Sequence, residues 1–380
     1  MSLPKKILLV FGTRPEAIKL APLYFALRQN KALHVSICVT AQHREMLDSI
    51  LDFFSIVPEF DLNIMSPNQT LFDIVTEGLS KIKSVFDSYK PDLVVVQGDT
   101  TTALVGALAA YYQRVPIAHV ESGLRTFDKY YPFPEEKNRV LVDHLSDLFF
   151  APTYLALEHL KQENINKNVW MVGNTIVDAL KWTYEKMLNT PETTFFSEKG
   201  IHFKKPTLVV TCHRRENFGK PFENICKALL TIAQTQACDI VFPVHSNPHI
   251  KNSVQGLLGH QSNIFLVPPL DYPEFVWLLS KCTLVLTDSG GIQEEAPTFS
   301  KPVLILRDTT ERLEGVQAGS ARLVGTDTDT IVRHTKDLLE NESALKAMAS
   351  VQNPYGDGKA SERIMHLIDT YLTQHEVKRQ

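Results

Sequence analysis

The sequence predicts an α/β protein of two doubly wound domains, each a parallel sheet covered by helices on both faces. Three observations predict it. The chain has 380 residues, more than one domain at roughly 100 to 200 residues apiece. Short runs that are apolar throughout, rather than alternating, recur between longer mixed stretches, as strands buried on both faces must be. The alternation of strand and helix patterns then begins again after Gly173.

In the first half the strand runs are Ile7 to Phe11, Val35 to Thr40, Leu93 to Gln97, Ile117 to Glu121 and Leu148 to Ala151. Helical patterns such as Leu71 to Ser88 fill the gaps. Pro22 falls inside the first helix pattern, where it costs a backbone hydrogen bond or marks a kink. In the second half the runs are Leu208 to Thr211, Ile240 to Val244, Ile264 to Val267, Leu284 to Thr287 and Val303 to Leu306. The polar stretch Asn189 to Lys205, with Pro191, Gly200 and Pro206 near its ends, predicts a linker or a long surface loop. A last helix pattern, Ser361 to Leu372, follows the turn-rich Asn353 to Gly358 and could pack on either domain. The domains are placed at residues 1–172, with a C-terminal helix 361–377 as a candidate to return to it, and at 173–360.

Composition narrows the function classes. With 44% hydrophobic and 22% charged residues the chain can bury full cores. Thirty-nine basic against 43 acidic residues leave a net charge of −4, so there is no broad electrostatic footprint for nucleic acid or anionic lipid. The five cysteines are odd in number and lack metal-ligand spacing, which fits a reducing compartment and predicts neither disulfide nor metal site. The apolar run after Lys6 is too short for a signal segment and no run approaches a membrane span. A cytoplasmic protein without membrane or nucleic-acid partners is expected.

Ligands of open parallel sheets bind beyond the carboxyl ends of the strands, and the unusual residues of this chain concentrate there. The first strand runs into Gly12-Thr13-Arg14-Pro15-Glu16-Ala17-Ile18-Lys19, a tight turn with Arg14 and Lys19 near a helix start; this is an anion site, or Lys19 is simply solvated. Gly98-Asp99-Thr100 places a carboxylate at a strand end, as a helix cap or as an acid/base group. His119 to Arg125 puts Glu121 at a second such end. Glu135 and Glu136, just before Arg139, read as a third acidic cluster or as an ordinary helix start with an i, i+4 ion pair. In the second half, His213, Arg214 and Arg215 crowd one strand end, a composition suited to phosphate or carboxylate. His245 ends another strand, where a structural hydrogen bond is as fitting as ligand contact. Thr287-Asp288-Ser289-Gly290-Gly291 leads into a helix whose first amides can cradle a phosphate. Neither GxGxxG nor GxxxxGK[ST] occurs, which weighs against dinucleotide and P-loop sites.

Taken together these segments closely resemble the bacterial non-hydrolysing UDP-N-acetylglucosamine 2-epimerases. The resemblance runs through FGTRPEAIKLAPL from Phe11, VTAQHREML from Val39, GDTTTAL from Gly98, HVESGLRT from His119 and FPEEKNR from Phe133. It continues through CHRREN, PVHSNP, DSGGIQEEAP and NPYGDG. It implies a GT-B fold, two Rossmann-like domains facing each other across a cleft. It also implies interconversion of UDP-N-acetylglucosamine and UDP-N-acetylmannosamine through 2-acetamidoglucal, with no cofactor, in supply of surface polysaccharide. Asp99, Glu121 and Glu135 match the family's carboxylates acting at C2 of the sugar; His213, Lys19 and Arg139 match its further catalytic groups. The resemblance also implies that Ser289, Gly290 and Gly291 hold the diphosphate, with Arg14, His213 and Arg312 adding substrate contacts, Glu295 on the ribose and Phe275 by the uracil. A second, activating UDP-N-acetylglucosamine is implied at Gln42, His43, Gln69, Arg214 and His245, as is a homodimer. Leu313 replaces the proline of the family's ERPE motif.

Rival readings are an epimerase for a modified UDP-aminosugar, a hydrolysing epimerase, a glycosyltransferase and a catalytically silent nucleotide-sugar sensor. The sensor would not need the three carboxylates, and all three are present.

Overall fold

The apolar runs form strands because every residue of each central strand has a helix to bury against. The computed structural model describes residues 3–41, 44–66, 69–188, 194–214, 217–244 and 254–375. The chain divides into two compact units, Met1–Ala179 with Gly356–Gln380, and Leu180–Tyr355.

In the first unit seven strands are described: β1 (Lys5–Phe11), β2 (Leu33–Val39), β3 (Phe60–Asp61), β4 (Leu93–Gln97), β5 (Ile117–Val120), β6 (Leu148–Ala151) and β7 (Val169–Met171). They form one parallel sheet in the order β3-β2-β1-β4-β5-β6-β7. The order reverses between β1 and β4, which makes their carboxyl ends the switch point where such sheets take ligands. The helices are α1 (Arg14–Gln29), α2 (Arg44–Phe54), α3 (Leu71–Tyr89), α4 (Thr101–Tyr112), α5 (Glu135–Leu145) and α6 (Tyr154–Gln162). Leu8, Val10, Val94 and Val96 meet Ile82, Val85 and Phe86 of α3 and Ala103, Ala107 and Ala110 of α4 in one buried core. Pro22 lies buried within α1, which runs through it to Gln29.

The helix α7 (Thr175–Leu188) carries the chain from the first unit into the second. There follow α8 (Thr194–Glu198), α9 (Lys220–Ala233), α10 (Tyr272–Lys281), α11 (Gly290–Glu295), α12 (Leu313–Ala318), α13 (Thr328–Glu340) and α14 (Glu342–Ala349). The strands are β8 (Thr207–Thr211), β9 (Asp239–Pro243), β10 (Ile264–Val267), β11 (Leu284–Thr287), β12 (Val303–Ile305) and β13 (Ala321–Leu323). Their parallel order is β10-β9-β8-β11-β12-β13, with its switch point between β8 and β11. Successive residues of these strands serve opposite cores. Leu208, Val210, Leu284 and Leu286 pack with Ile225 and Leu229 of α9 and Ile331 of α13. Val209, Val241, Val285 and Ile305 pack on the other face with Trp277 and Leu278 of α10. The unbroken apolar runs are the sequence image of those two cores.

Three differences from the sequence reading have physical causes. Glu121 is not the last residue of β5: the strand stops at Val120 and Glu121 turns into the left-handed region at φ 66°. The short strands β3, β7 and β13 went unpredicted, because two or three partly exposed residues at or near a sheet edge carry no pattern. Asn189 to Lys205 is not simply a linker, since Phe196 and Ile201 are buried in the core of the second unit. The last helix, α15 (Ala360–Gln374), belongs to the first unit. There it packs on α1, and Asp178 accepts the Ser361 N–H at 2.7 Å. Among the described residues no helix is long and apolar enough to cross a membrane.

Candidate active-site residues

At the switch point of the first unit, Gly12 follows β1 at a place where only glycine fits. A side chain there would lie 2.0 Å from Thr40 Oγ1 and 2.6 Å from Thr102 Oγ1, at the ends of β2 and the start of α4. The turn is closed by Glu16, whose Oε2 accepts from Gly12 N, Thr13 N and the Thr13 hydroxyl at 2.8–3.0 Å. Its Oε1 accepts from Thr100 Oγ1 at 2.7 Å, tying the turn after β1 to the turn after β4. Burial pushes the Glu16 carboxyl above its usual range, with the bonds from Thr100, Thr13 and Gly12 acting against it. Arg14, at the start of α1, is half-buried and has no ion-pair partner among the described residues.

The turns after β4 and β5 carry the two strand-end carboxylates side by side, since Gly98 N donates to Val120 O. Glu121 is 6% exposed. Lys19 Nζ from α1 donates to its Oε2 at 2.5 Å, and the Gln97 side-chain amide donates to the same oxygen. Asn174 Nδ2 stands 3.5 Å from Oε1. A non-glycine residue held at φ 66° costs about 1–3 kcal/mol, a strain that the surrounding bonds must outweigh. Asp99 does not cap α4; the Thr100 hydroxyl does, accepting Ala103 N at 3.0 Å. The Asp99 carboxylate instead takes Arg139 Nη2 at 2.5 Å, while its carbonyl accepts Asn138 Nδ2 at 3.0 Å.

Arg139 and Asn138 lie on α5, whose first residue is Glu135. The i, i+4 pair expected between Glu135 and Arg139 is not formed: Arg139 pairs with Glu136 at 3.4 Å and with Asp99. Glu136 points back to the preceding loop and accepts the N–H groups of Thr126 and Phe127 at 3.0 Å. Glu135 is half-buried and has no hydrogen-bond or ion-pair partner among the described residues. Two of the three carboxylates therefore sit against cations and the third does not.

At the switch point of the second unit, β8 and β11 lie in register from Leu208↔Leu284 to Thr211↔Thr287, and the two threonine hydroxyls bond at 2.6 Å. The next residue after β11, Asp288, is fully buried. Its Oδ2 accepts His213 N at 3.0 Å, Arg214 N at 2.9 Å and Asn217 Nδ2 at 2.9 Å. Asp288 thus shapes the turn after β8 and leaves the His213 ring about half-exposed, its Nδ1 3.5 Å from Asp288 Oδ1. Ser289 precedes α11, and Gly290 and Gly291 are its first residues. A side chain on Gly290 would lie 3.6 Å from Arg214 Nη2 and 3.8 Å from Arg312 Cζ, so two guanidinium groups flank that bare backbone. Arg312 Nε bonds Glu294, and Arg214 Nη2 lies 3.4 Å from Glu311. Burial acts to raise the Glu311 carboxyl, but a backbone N–H and the guanidinium groups of Arg307 and Arg312 outweigh it and bring it down to about 2. Phe275, on α10, is partly buried against the core. Glu295 is the last residue of α11.

The activating site implied by the resemblance comprises Gln42, His43, Gln69, Arg214 and His245. Gln42, His43 and His245 lie outside the described residues. Gln69 belongs to the first unit, where its amide donates to Ile64 O at 2.6 Å, and Arg214 stands beside Gly290 in the second. Sequence reasoning passed over Gln97, Asn138, Asn174 and Asp288. The one signal was a polar residue at the end of an apolar run, as Gln97 is. Among the described residues there is no group of three His, Cys, Asp or Glu side chains able to hold a metal ion.

The comparisons agree with one another. The family model described as UDP-N-acetylglucosamine 2-epimerase matches residues 25–369. The curated UDP-N-acetylglucosamine 2-epimerase of Escherichia coli K12 is 50% identical over 370 residues, covering 96% of this chain and 98% of its own. The UDP-GlcNAc 2-epimerase of Neisseria meningitidis, solved bound to UDP-GlcNAc, is 44% identical and superposes with a TM-score of 0.86 over 97% of this chain and 100% of its own. S. aureus MnaA, solved with UDP, is 46% identical with a TM-score of 0.86 over 99% of each chain.

Proposed function

The chain belongs to the UDP-N-acetylglucosamine 2-epimerase family, and from that premise we propose that it interconverts UDP-N-acetylglucosamine and UDP-N-acetylmannosamine by elimination and re-addition of UDP. The observation that carries the mechanism is the pair of carboxylates, Asp99 and Glu121, on neighbouring turns and each held by a cation.

The proton on C2 of the sugar has no adjacent carbonyl, so its simple removal would leave a poorly stabilised carbanion. Elimination avoids this. A carboxylate takes the C2 proton, the C–H electron pair forms the C1=C2 bond, and the C1–O bond breaks with its pair going to the departing UDP. Re-addition reverses each step, with a proton delivered to the other face of C2. Two acid/base groups on opposite faces suffice, each contributing about 10²- to 10⁴-fold. Asp99, Glu121 and Glu135 are the candidates; Lys19 and Arg139 fix the second and the first in place. His213 stabilises the departing diphosphate together with Arg214, Arg312 and the amides of Gly290 and Gly291, while Arg14 adds a cation from the start of α1. Glu295 and Phe275 serve the ribose and uracil. No redox step is required.

We extend the reading to a cytosolic homodimer that supplies aminosugar for bacterial surface polysaccharide and is activated by its own substrate. The test is proton NMR of UDP-N-acetylglucosamine with the purified protein in D₂O. Deuterium at C2 and new signals of UDP-N-acetylmannosamine are expected. An unchanged spectrum, with and without added UDP, would refute the assignment of this substrate.

A further inference from the structure

We propose that the buried His119–Asp143 pair is a positioning device that locks the turn carrying Asp99 to the turn carrying Glu121, and through α5 sets the place of Glu135 as well. The proposal rests on the reading of those carboxylates given above.

His119 lies near the end of β5 and is fully buried, as is Asp143 on α5. Ring Nδ1 is 2.6 Å from Asp143 Oδ1, and ring Nε2 is 2.8 Å from the carbonyl oxygen of Gly98, the residue before Asp99. The other oxygen of Asp143 accepts the N–H of Gly123, two residues after Glu121, at 3.1 Å. One imidazole and one carboxylate thus bridge the two turns, backbone to backbone. The same carboxylate oxygen takes Arg125 Nη1 at 2.8 Å, and Arg125 is clamped in turn by both oxygens of Glu163 at 2.7 Å.

The chemistry of the bridge is specific. Burial acts to raise the Asp143 carboxyl, but the His119 and Arg125 charges outweigh it and hold it below the usual carboxylate range. An ionised carboxylate and a peptide carbonyl are both acceptors only, so this geometry calls for an N–H donor at each ring nitrogen. A buried ion pair is seldom worth more to stability than apolar residues of the same volume. What this pair adds is direction. Its two ends fall on the two turns that hold strand-end carboxylates, one of them strained at Glu121. Asp143 also follows Arg139 by four residues on α5, so one face of that helix grips the Gly98–Asp99 turn three times: by Arg139 on the carboxylate, by Asn138 on the carbonyl and by Asp143 through His119. Glu135 stands at the start of the helix so held.

The test compares His119→Gln, Asp143→Asn and the double variant with the wild type. A ten- to hundredfold fall in kcat for epimerisation and for C2 exchange is expected in each, with KM and UDP affinity within threefold and the double variant no worse than the singles. Folded variants with kcat within twofold of wild type would overturn the proposal, as would a fall in kcat matched by equal losses in KM and UDP affinity. A second readout uses the wild-type protein alone: ¹⁵N-edited NMR should show one histidine with two slowly exchanging ring N–H protons, and their absence would overturn it even if the variants fail to fold. A wild type without epimerisation or exchange, but with that histidine signature, would instead sink the proposed function and leave the bridge as structure only.

Discussion

Replacing Asp288 by asparagine keeps the volume of the side chain and inverts half of its hydrogen-bonding character. In the native protein three donors converge on one oxygen: the N–H groups of His213 and Arg214 and the amide of Asn217, at 2.9–3.0 Å. An asparagine oxygen in that place can meet them only as a neutral acceptor, and its NH₂ then replaces Oδ1, 3.2 Å from the His213 N–H, in a site with no exposure. A buried donor left without an acceptor costs about 1–3 kcal/mol, and bonds to a charged acceptor are worth about 1.5–3 kcal/mol each. Because the three share one group they will not add fully, so a loss of about 3 kcal/mol is the reasoned figure. For a unit of this size that lowers its melting midpoint by about 6–12 °C. The same turn sets His213 and Arg214, so UDP affinity should fall about tenfold, about 1.4 kcal/mol. Differential scanning calorimetry and isothermal titration with UDP read both. A midpoint and an affinity equal to wild type would refute the reasoning that Asp288 shapes this turn.

Further outcomes follow from the same geometry. Asp99→Asn and Glu121→Gln should each abolish turnover while leaving UDP affinity intact; loss of UDP binding would make these groups structural. Gly123→Ala puts a methyl group 2.2 Å from the Ala156 carbonyl oxygen at a φ of 83°. It should destabilise the first unit by roughly 2–4 kcal/mol or prevent soluble expression, and a wild-type melting curve would contradict this. Glu311 titrates lower in the folded protein than in the unfolded chain, so its contribution to stability is complete above the unfolded value and is lost as pH falls toward about 2. Acid unfolding of Glu311→Gln should accordingly be less steep between pH 4.5 and 2 than that of wild type, and superimposable acid curves would count against the cited ion pairs.

How much of this was legible in the sequence depended on range. The sheets were legible because both faces of β1, β4, β8 and β11 are covered, which writes an unbroken apolar run into the chain. The places of Asp99, Glu121 and His213 just beyond strand ends were legible because those runs end just before them. Asp288 was hidden behind its serine and glycines, since its task is set by a turn 75 residues away. Gln97 looked like the tail of a strand, and only the return of Glu121 from the next strand gives its amide a purpose. Glu135 and Arg139 read as partners four residues apart; the arginine goes instead to Asp99, 40 residues back, because α5 packs along that turn. Local pattern identified the elements, and the partners of the charged groups came from their packing.

The central claim is that the C1–O bond breaks in every turnover. Positional isotope exchange tests it most directly: UDP-N-acetylglucosamine carrying ¹⁸O in the bridge between C1 and the β-phosphorus is incubated with the protein, and ³¹P NMR follows the label. Elimination frees the β-phosphate to rotate before UDP adds back, so the account expects the label to scramble into the non-bridging oxygens while deuterium enters C2. Deuterium at C2 with the label still in the bridge would mean that the proton is exchanged without departure of UDP, and would contradict it.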